Sequence, residues 1–308
     1  MILALDIGGT KVASALVTLD GEIVKESVSI EKSGRDKNSE ELFDACVRVM
    51  KAAKGDEDII GIGVGSAAPL DLNRGVISPL NLPAWREFPI VKKVEEVFPG
   101  TPVRLASDGV CIALAEHWKG AGTDVENLLA MIVSTGVGGG LVIGGKPLSG
   151  TSGNAGHIGH IEVADFGLER CACGNFGCLE AVTSGPNTVK WAIKQGWRKG
   201  EDTSQLAGED LAEDARNGDK IALRAFERSG TALGRAIASA MALLEFDLVV
   251  IGGGFANSGD LLLEPARKAI KRPEFKFIDV EIVPTGLDGY GPLIGAAALF
   301  GIKDLDFS

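Results

Sequence analysis

Residues 1–17 read MILALDIGGTKVASALV: an apolar run, a turn of glycines, and a second apolar run. This pattern predicts two strands joined by a tight hairpin. It recurs about half a chain later, where Leu128–Val133 leads into the turn Ser134–Gly140 and apolar residues follow again. Two such hairpins indicate a duplicated fold. Helical and strand-like stretches follow both, so we predict an α/β protein, with a third strand at Ile23–Val28 and a loop at Ala68–Pro89.

The length of the chain, 308 residues, is enough for two domains of ordinary size. We place an N-terminal α/β domain at residues 1–120 and a larger C-terminal α/β domain at 121–290, with the hinge near Gly120–Asp124. A helix rich in small residues, at about 291–308, is predicted to return and pack on the first domain.

Composition and charge exclude several classes of partner. The net charge is −11 and there is no long basic run, which argues against nucleic acid, whose phosphates require Lys and Arg. The N-terminus lacks the features of a signal peptide, and no apolar run approaches the roughly 20 residues of a membrane span. We therefore expect a cytoplasmic protein with reduced cysteines and neither a nucleic-acid nor a membrane partner.

The two glycine turns point to phosphate chemistry. Successive backbone N–H groups in such turns can surround phosphate oxygens, and the hydroxyls of Thr10 and Thr135 are further donors. Asp6 ends a buried strand, a costly place for a carboxylate unless it orders a metal or water, and Mg²⁺ suits such a position beside phosphates. One glycine turn alone is equally an ordinary hairpin. Both turns, with Gly252–Gly254 after a later strand, favour a nucleotide site.

A cluster of cysteine and histidine occupies residues 157–178, which hold three of the five cysteines and two of the three histidines. Such a set of soft sulfur and nitrogen ligands suits a tetrahedral zinc. A redox pair at Cys171 and Cys173 is the alternative, but one intervening residue strains a disulfide, and the third cysteine and the histidine favour metal. Four protein ligands make a closed, structural site that activates no water.

Three segments resemble the signatures of the ROK family (repressors, open reading frames and sugar kinases): Leu3–Lys11, Ser134–Gly140 and Cys171–Glu180. The resemblance covers essentially the whole chain. The cysteine segment is highly specific, whereas the first glycine turn is shared more loosely with the actin and hexokinase superfamily. The resemblance implies a duplicated ribonuclease-H-like fold with a central cleft, ATP- and Mg²⁺-dependent phosphorylation of a sugar, and a homodimer or a dimer of dimers.

The resemblance also implies roles for individual residues. Asp108, which by residue type could simply cap a helix, matches the catalytic carboxylate that accepts the proton of the sugar hydroxyl. Residues matching the sugar site are Gly65, Asn81, Ser107, Asp108, His157, His160 and Glu180. Residues matching the ATP and Mg²⁺ site are Asp6, Gly8, Gly9, Thr10, Lys11, Thr135, Gly136, Gly138, Gly139, Gly253 and Gly254. Residues matching the zinc ligands are His160, Cys171, Cys173 and Cys178. Ser107 stands where the family usually has Asn, and its side chain reaches less far.

His157 departs from the common family pattern, which has Glu three residues before the zinc histidine. The string Ala155–His160 and the lengthened Pro79–Leu82 are similar to a bacterial subgroup that phosphorylates N-acetylmannosamine. A carboxylate only accepts hydrogen bonds, whereas neutral His donates one and accepts one. The resemblance to that subgroup implies phosphorylation of the 6-hydroxyl of N-acetylmannosamine, with glucose or another hexose as the alternative substrate.

Two non-catalytic functions are alternatives to a sugar kinase. Some ROK proteins are sugar-responsive repressors with a DNA-binding region before the kinase-like part. Here the first glycine turn follows Asp6 directly, which leaves no room for that region, and the negative charge agrees. A non-catalytic sugar sensor is the remote alternative, and the presence of Asp6, Thr10 and Asp108 speaks against it.

Overall fold

A computed structural model describes residues 1–198, 200–271, 276 and 279–302. These residues form two compact units, each of which draws on separate parts of the chain. Unit 1 comprises Met1–Glu126, Gly140–Gly156 and the chain from Gly286 onward, and unit 2 comprises Asn127–Gly139 and His157–Thr285.

The segment Gly140–Gly156 belongs to unit 1, although the sequence assigns it to the second domain. Hydrogen bonds with Leu70 explain the difference. The Asn154 amide donates to the Leu70 carbonyl at 2.6 Å and accepts from the Leu70 N–H at 3.0 Å. Because these residues lie 84 positions apart, the local sequence pattern carries no sign of the contact. The predicted boundary at residue 120 likewise lies inside unit 1.

Unit 1 is built on a five-stranded sheet and a small two-stranded hairpin. The strands are β1 (Ile2–Ile7), β2 (Lys11–Val17), β3 (Ser29–Lys32), β4 (Ile62–Ser66), β5 (Leu70–Asp71), β6 (Val76–Ile77) and β7 (Val103–Ser107). The large sheet has the order β3-β2-β1-β4-β7, and β5 pairs with β6. Strand β1 is antiparallel to β2 and parallel to β4, which is parallel to β7. The parallel strands therefore bring their carboxyl ends to one edge.

Three helices of unit 1 precede unit 2: α1 (Ser39–Lys54), α2 (Ile90–Val97) and α3 (Asp108–Lys119). Helix α1 begins with a capping box, in which the Asn38 side chain accepts from the Glu41 N–H and the Glu41 carboxylate accepts from the Asn38 N–H. Its buried face carries Leu42, Ala45, Cys46, Val49, Met50 and Ala53. Helix α2 has no such cap and only eight residues, which explains why the sequence pattern does not predict it.

The third strand lies at Ser29–Lys32, so the predicted strand at Ile23–Val28 is wrong. Lys25–Ser27 instead forms a 3-10 helical turn. The Ser27 hydroxyl holds this turn against β2, because it accepts from the Leu16 N–H at 2.8 Å and donates to the Val24 carbonyl at 2.6 Å. The predicted loop at Ala68–Pro89 contains the β5–β6 hairpin.

The second sheet has the order β10-β9-β8-β11-β12. Its strands are β8 (Leu128–Val133), β9 (Val137–Ile143), β10 (Lys146–Pro147), β11 (Leu248–Gly252) and β12 (Glu281–Pro284). Strand β11 is parallel to both β8 and β12, as β4 is parallel to β1 and β7 in the first sheet. The repeated strand order confirms the predicted duplicated α/β fold. The boundary between the units falls inside β9, between Gly139 and Gly140.

The helices of unit 2 are organised around its longest one. They are α4 (Leu179–Thr183), α5 (Gly185–Lys194), α6 (Gly208–Arg216), α7 (Lys220–Leu244) and α8 (Asp260–Ile270). Helix α7 has 25 residues and is capped by the Asp219 carboxylate, which accepts from the Ile221 and Ala222 N–H groups. The other four helices all pack against it. Within the described part of the chain, none of the helices combines the length and the apolar character that crossing a bilayer requires.

Helix α9 (Gly291–Gly301) belongs to unit 1, where it packs on α3, β1 and β4. Two glycines permit this packing. A Cβ atom on Gly295 would lie 1.7 Å from the Cys111 carbonyl oxygen, and one on Gly63 would lie 1.8 Å from the Ala296 carbonyl oxygen. No side chain fits at either position, so the backbones meet directly. Residues 303–308 of the predicted final helix lie outside the described part of the chain.

Candidate active site

Asp6 lies near the end of β1, beside Gly65 of β4. Burial raises the pKa of the Asp6 carboxyl to about 7, the negative charge of Asp108 adds to this rise, and Lys11 opposes it. The position therefore disfavours a bare carboxylate and favours one that is neutralised by a cation. This is the electrostatic character expected of a residue that helps to hold Mg²⁺ beside phosphates.

The first glycine turn is held in shape by its own backbone and by Ser33. The Gly8 N–H donates to the Lys11 carbonyl at 3.0 Å, and the Ser33 N–H donates to the Thr10 carbonyl at 3.1 Å. The Ser33 hydroxyl also donates to the Gly8 carbonyl at 2.8 Å. Thr10 and Lys11 are exposed, so the hydroxyl and the ammonium group remain accessible to a ligand. Sequence reasoning missed Ser33, which no motif marks.

Asn81 lies against the same turn. A Cβ atom on Gly9 would approach the Asn81 amide nitrogen to 2.4 Å, so the backbone of the turn and the Asn81 side chain are in close contact. The turn that carries Asn81 is held by Arg86, whose guanidinium donates to the carbonyls of Pro79 at 2.9 Å and Leu82 at 3.1 Å. The structure thus brings the predicted sugar residue Asn81 next to the predicted phosphate turn, and it adds Arg86 as a support.

Asp108 is the first residue of α3, where β7 ends. Strands β1, β4 and β7 are parallel, and Asp6, Gly65 and Ala106 are in register across them. Asp6 and Asp108 therefore lie at the same edge of the first sheet. The Gly109 N–H donates to Asp108 Oδ1 at 2.7 Å, which fixes the carboxylate at the start of the helix.

Ser107, rather than Asp108, is the N-cap of α3. It is buried, and its hydroxyl oxygen accepts from the Val110 N–H at 3.2 Å. The capping role that residue type alone allows for Asp108 is thus filled by its neighbour. The bond engages the Ser107 oxygen with the helix. A sugar contact from Ser107 remains a prediction.

The second glycine turn is assembled from three parts of unit 2. The Ser134 N–H donates to the Gly136 carbonyl, and the Gly185 N–H at the start of α5 donates to the Ser134 carbonyl, both at 2.9 Å. Gly253 has a φ of +104° and lies so close to β8 that a Cβ atom there would be 2.6 Å from the Val133 carbonyl oxygen. The predicted phosphate residues of unit 2 are therefore neighbours, as are those of unit 1.

The four predicted zinc ligands lie together. One ligand atom from each of His160, Cys171, Cys173 and Cys178 lies within 4.8 Å of the others. Cys171 Sγ is 3.6 Å from His160 Nδ1, and Cys173 Sγ is 3.7 Å from Cys178 Sγ. Sulfur atoms around a tetrahedral zinc at 2.3 Å are about 3.8 Å apart, so the donor set fits the metal.

The thiols themselves favour a cation at this position. Burial raises the pKa of Cys178 to about 12, whereas a hydrogen bond from the Asn175 backbone lowers the pKa of Cys173. A buried thiolate at Cys178 therefore requires a compensating positive charge, which zinc would supply. The loop turns at Gly174 and Gly177, with φ values of +97° and +72° that glycine adopts without strain.

Val137 connects the glycine turn to the residues predicted to bind sugar. Its N–H donates to Glu180 Oε2 at 3.0 Å. A Cβ atom on Gly159 would lie 1.9 Å from the Val137 carbonyl oxygen, so the turn between His157 and His160 rests directly on the same residue. The two imidazole rings are nearly parallel, with centroids 6.1 Å apart. Val137 thus contacts both Glu180 and the turn that carries the two histidines.

Replacing Asp6 with Asn should change how stability depends on pH. A raised pKa means that the folded protein binds this proton more tightly than the unfolded chain, so Asp6 lowers the free energy of unfolding as pH rises from about 4 to about 7. Without Mg²⁺ and nucleotide, the free energy of unfolding of Asp6→Asn should exceed that of the natural protein by up to about 4 kcal/mol at pH 8. At pH 5 the difference should be much smaller. Urea unfolding at both pH values measures this difference. The same substitution at the exposed Asp20 is the control, and a pH-independent difference for Asp6→Asn would contradict the argument.

Replacing Cys173 with Ser should release the metal. Cys173 is exposed, so the change removes a ligand while disturbing little packing. We expect zinc content to fall from about one atom per chain to well below half, and the unfolding temperature to fall by several degrees. Elemental analysis of purified protein measures the metal. Cys46→Ala, which alters a cysteine of the apolar core of unit 1 and none of the four ligands, should keep its zinc, and full occupancy in Cys173→Ser would contradict the ligand assignment.

Comparison with known proteins agrees with this arrangement. A family model described as the ROK family matches residues 2–302. A glucokinase of Halalkalibacterium halodurans is 36% identical over 276 residues, covering 85% of this chain and 83% of that protein. An N-acetylmannosamine kinase of Escherichia fergusonii is 36% identical over 256 residues, covering 82% of both.

A solved structure of a ROK family protein has the same fold as this chain. The ROK family glucokinase of Streptomyces griseus, in complex with glucose and AMPPNP, has a TM-score of 0.80 and 29% identity, covering 97% of this chain and 98% of that one. The repeated strand order, the clustered cysteines and the near-complete match of the family model lead to one conclusion: the chain belongs to the ROK family.

Proposed function

We propose that the protein is an ATP-dependent sugar kinase that phosphorylates the 6-hydroxyl of a hexose. One observation carries the proposal: two carboxylates, Asp6 and Asp108, lie at the same edge of the first sheet, next to a glycine turn. A phosphoryl transfer needs one carboxylate to orient the attacking hydroxyl and another to hold the metal that accompanies ATP. Membership of the ROK family and the kinases among its relatives support this assignment.

Asp108 is proposed as the catalytic residue. Its carboxylate would accept a hydrogen bond, and then the proton, from the sugar hydroxyl, while the Gly109 N–H holds Oδ1 in place. Transfer of a phosphoryl group depends mainly on positioning and charge stabilisation, so a fixed orientation matters more than a raised pKa.

Asp6 and the glycine turns are proposed to bind ATP. Asp6 would hold Mg²⁺, which when bound neutralises charge on the phosphate oxygens. Backbone N–H groups and the exposed side chains of Thr10, Lys11 and Thr135 would contact the phosphates. The remaining residues assigned to ATP are Gly8, Gly9, Gly136, Gly138, Gly139, Gly253 and Gly254.

The residues proposed to contact the sugar are Gly65, Asn81, His157, His160 and Glu180. Zinc would shape the segment that carries the last three without taking part in the chemistry, because its four protein ligands leave no position for water. His160 would use Nδ1 for the metal, which leaves Nε2 for a sugar hydroxyl.

Glucose is the first candidate substrate, because glucokinases of several organisms are among the relatives that are at least 30% identical to this chain. N-acetylmannosamine is the second candidate, because His157 can both donate and accept a hydrogen bond where most of the family has an acceptor. A coupled assay of ATP consumption over both sugars, mannose and N-acetylglucosamine tests the proposal. Turnover of at least one of them is expected, and sugar binding with no turnover of any would show a sensor instead.

Replacing Asp108 with Asn should lower kcat by about 10²–10⁴-fold, because the amide cannot accept the proton. Sugar affinity, measured by calorimetry, should change little. Asp260→Asn is the matched control, since Asp260 is also the first residue of a helix but lies far along the chain on α8 with an exposed side chain. Retained turnover in Asp108→Asn would remove this residue from the catalytic role.

Replacing His157 with Glu should shift the ratio of kcat/KM values towards glucose and away from N-acetylmannosamine by about tenfold, because a carboxylate only accepts hydrogen bonds. The same assay measures the ratio. His157→Gln, which keeps a donor and an acceptor, should leave it closer to the natural value. An unchanged ratio in His157→Glu would show that His157 does not select the sugar.

A further inference from the structure

Arg228 occupies an unusual position on α7. It is an arginine in the middle of the longest helix, yet its side chain is only 10% exposed. Its Nε donates to the Phe166 carbonyl at 2.9 Å, and its Nη1 donates to the Val182 carbonyl at 3.1 Å. Its Nη2 donates to Glu169 Oε1 at 3.0 Å, and the guanidinium lies 5.2 Å from the centre of the Trp191 ring. All three nitrogens of the guanidinium are thus used in defined contacts.

The bond to Val182 stabilises the end of α4, the helix that carries Glu180. This helix has only five residues, and its last carbonyls need partners from outside it. The residue four positions after Val182 is Pro186, which has no N–H to donate. The Glu180 carbonyl accepts from the Ser184 N–H at 3.1 Å, whereas the Val182 carbonyl accepts from Arg228. Arg228 therefore supplies a partner for a carbonyl at the end of α4, where the helix itself provides none.

The bonds to Phe166 and Glu169 stabilise the segment between two of the proposed zinc ligands, His160 and Cys171. The backbone here is shaped around the guanidinium. Gly167, between the two contacted residues, has a φ of +146°, and a Cβ atom there would lie 2.8 Å from Arg228 Nη2 and 2.1 Å from Glu169 Oε2. Glycine adopts this φ without strain and leaves the guanidinium and the carboxylate in their observed positions.

We propose that Arg228 is a positioning residue that holds the metal-binding segment and Glu180 in their working geometry. The inference rests on the proposed function for its sugar-binding part, but not for its metal-binding part. Arg228 contacts the segment on both sides of the cysteines, at Phe166 and Glu169 before them and at Val182 after them. A planar guanidinium can serve three acceptors in different directions at once, whereas the ammonium of a lysine cannot match that geometry.

The test compares Arg228→Met and Arg228→Lys with Arg224→Met, a matched control one turn earlier on the same helix with an exposed side chain. The first measurement needs no activity: zinc is transferred to a chromogenic chelator in the absence of sugar and ATP. We expect release to be at least fivefold faster in Arg228→Met than in the natural protein, and unchanged in Arg224→Met. Arg228→Lys should resemble Arg228→Met, because charge alone does not restore the three contacts.

The second measurement compares KM for the sugar with KM for ATP. In Arg228→Met, KM for the sugar should rise about tenfold or more while KM for ATP stays within twofold, a split that a general loss of folded protein would not produce. If Arg228→Met does not fold cooperatively, Arg228→Lys carries both measurements. Natural rates of zinc release together with an unchanged KM for the sugar would overturn the proposal. If the natural protein phosphorylates no sugar, the proposed function fails, and the zinc measurement alone then decides the role of Arg228.

Discussion

A carboxylate enclosed at the end of a strand is the constraint on which the first unit depends. Asp6 lies near the end of a strand whose other residues are all buried, and burial together with the charge of Asp108 raises the pKa of its carboxyl. A protein selected for stability alone would have an apolar or neutral side chain at this position. The chain instead keeps two acidic groups at one sheet edge and surrounds them with glycines, whose N–H groups attract anions. A bound cation, accompanied by phosphates, would compensate the negative charge of such a site.

The sequence predicts the parts of this site that are contiguous in the chain. The two hairpins, Asp6, the glycine turns and the four clustered zinc ligands follow from local pattern and from family resemblance, and the fold and the clustering agree with them. The assignment of Gly140–Gly156 to the second domain is wrong, because Asn154 and Leu70 make a contact over 84 positions. The predicted strand at Ile23–Val28 is wrong, because the Ser27 side chain accepts a hydrogen bond from the backbone of β2 and holds this segment as a turn.

The supporting residues escape sequence reasoning for the same reason. Ser33, Arg86 and Arg228 each hold a backbone carbonyl of a functional segment, and a carbonyl is present at every residue, so no side-chain pattern marks the partner. Val137 acts through its backbone alone, since its N–H holds Glu180 and its carbonyl packs on Gly159. Motifs therefore mark the candidate functional groups, whereas the residues that keep these groups in place are marked only by contacts in the folded chain.

Helix α9 has a consequence for how the protein is made. The face of β1 that holds Ile2 and Ala4 shares one apolar cluster with Leu293 and Ala297 of α9. The ribosome synthesises this strand first and this helix last among the described elements. An N-terminal domain usually folds before the rest of the chain is synthesised. Unit 1 cannot complete its fold in that order, because it needs the last helix. Throughout elongation the nascent chain carries an uncovered hydrophobic sheet face, which is the kind of surface that chaperones bind.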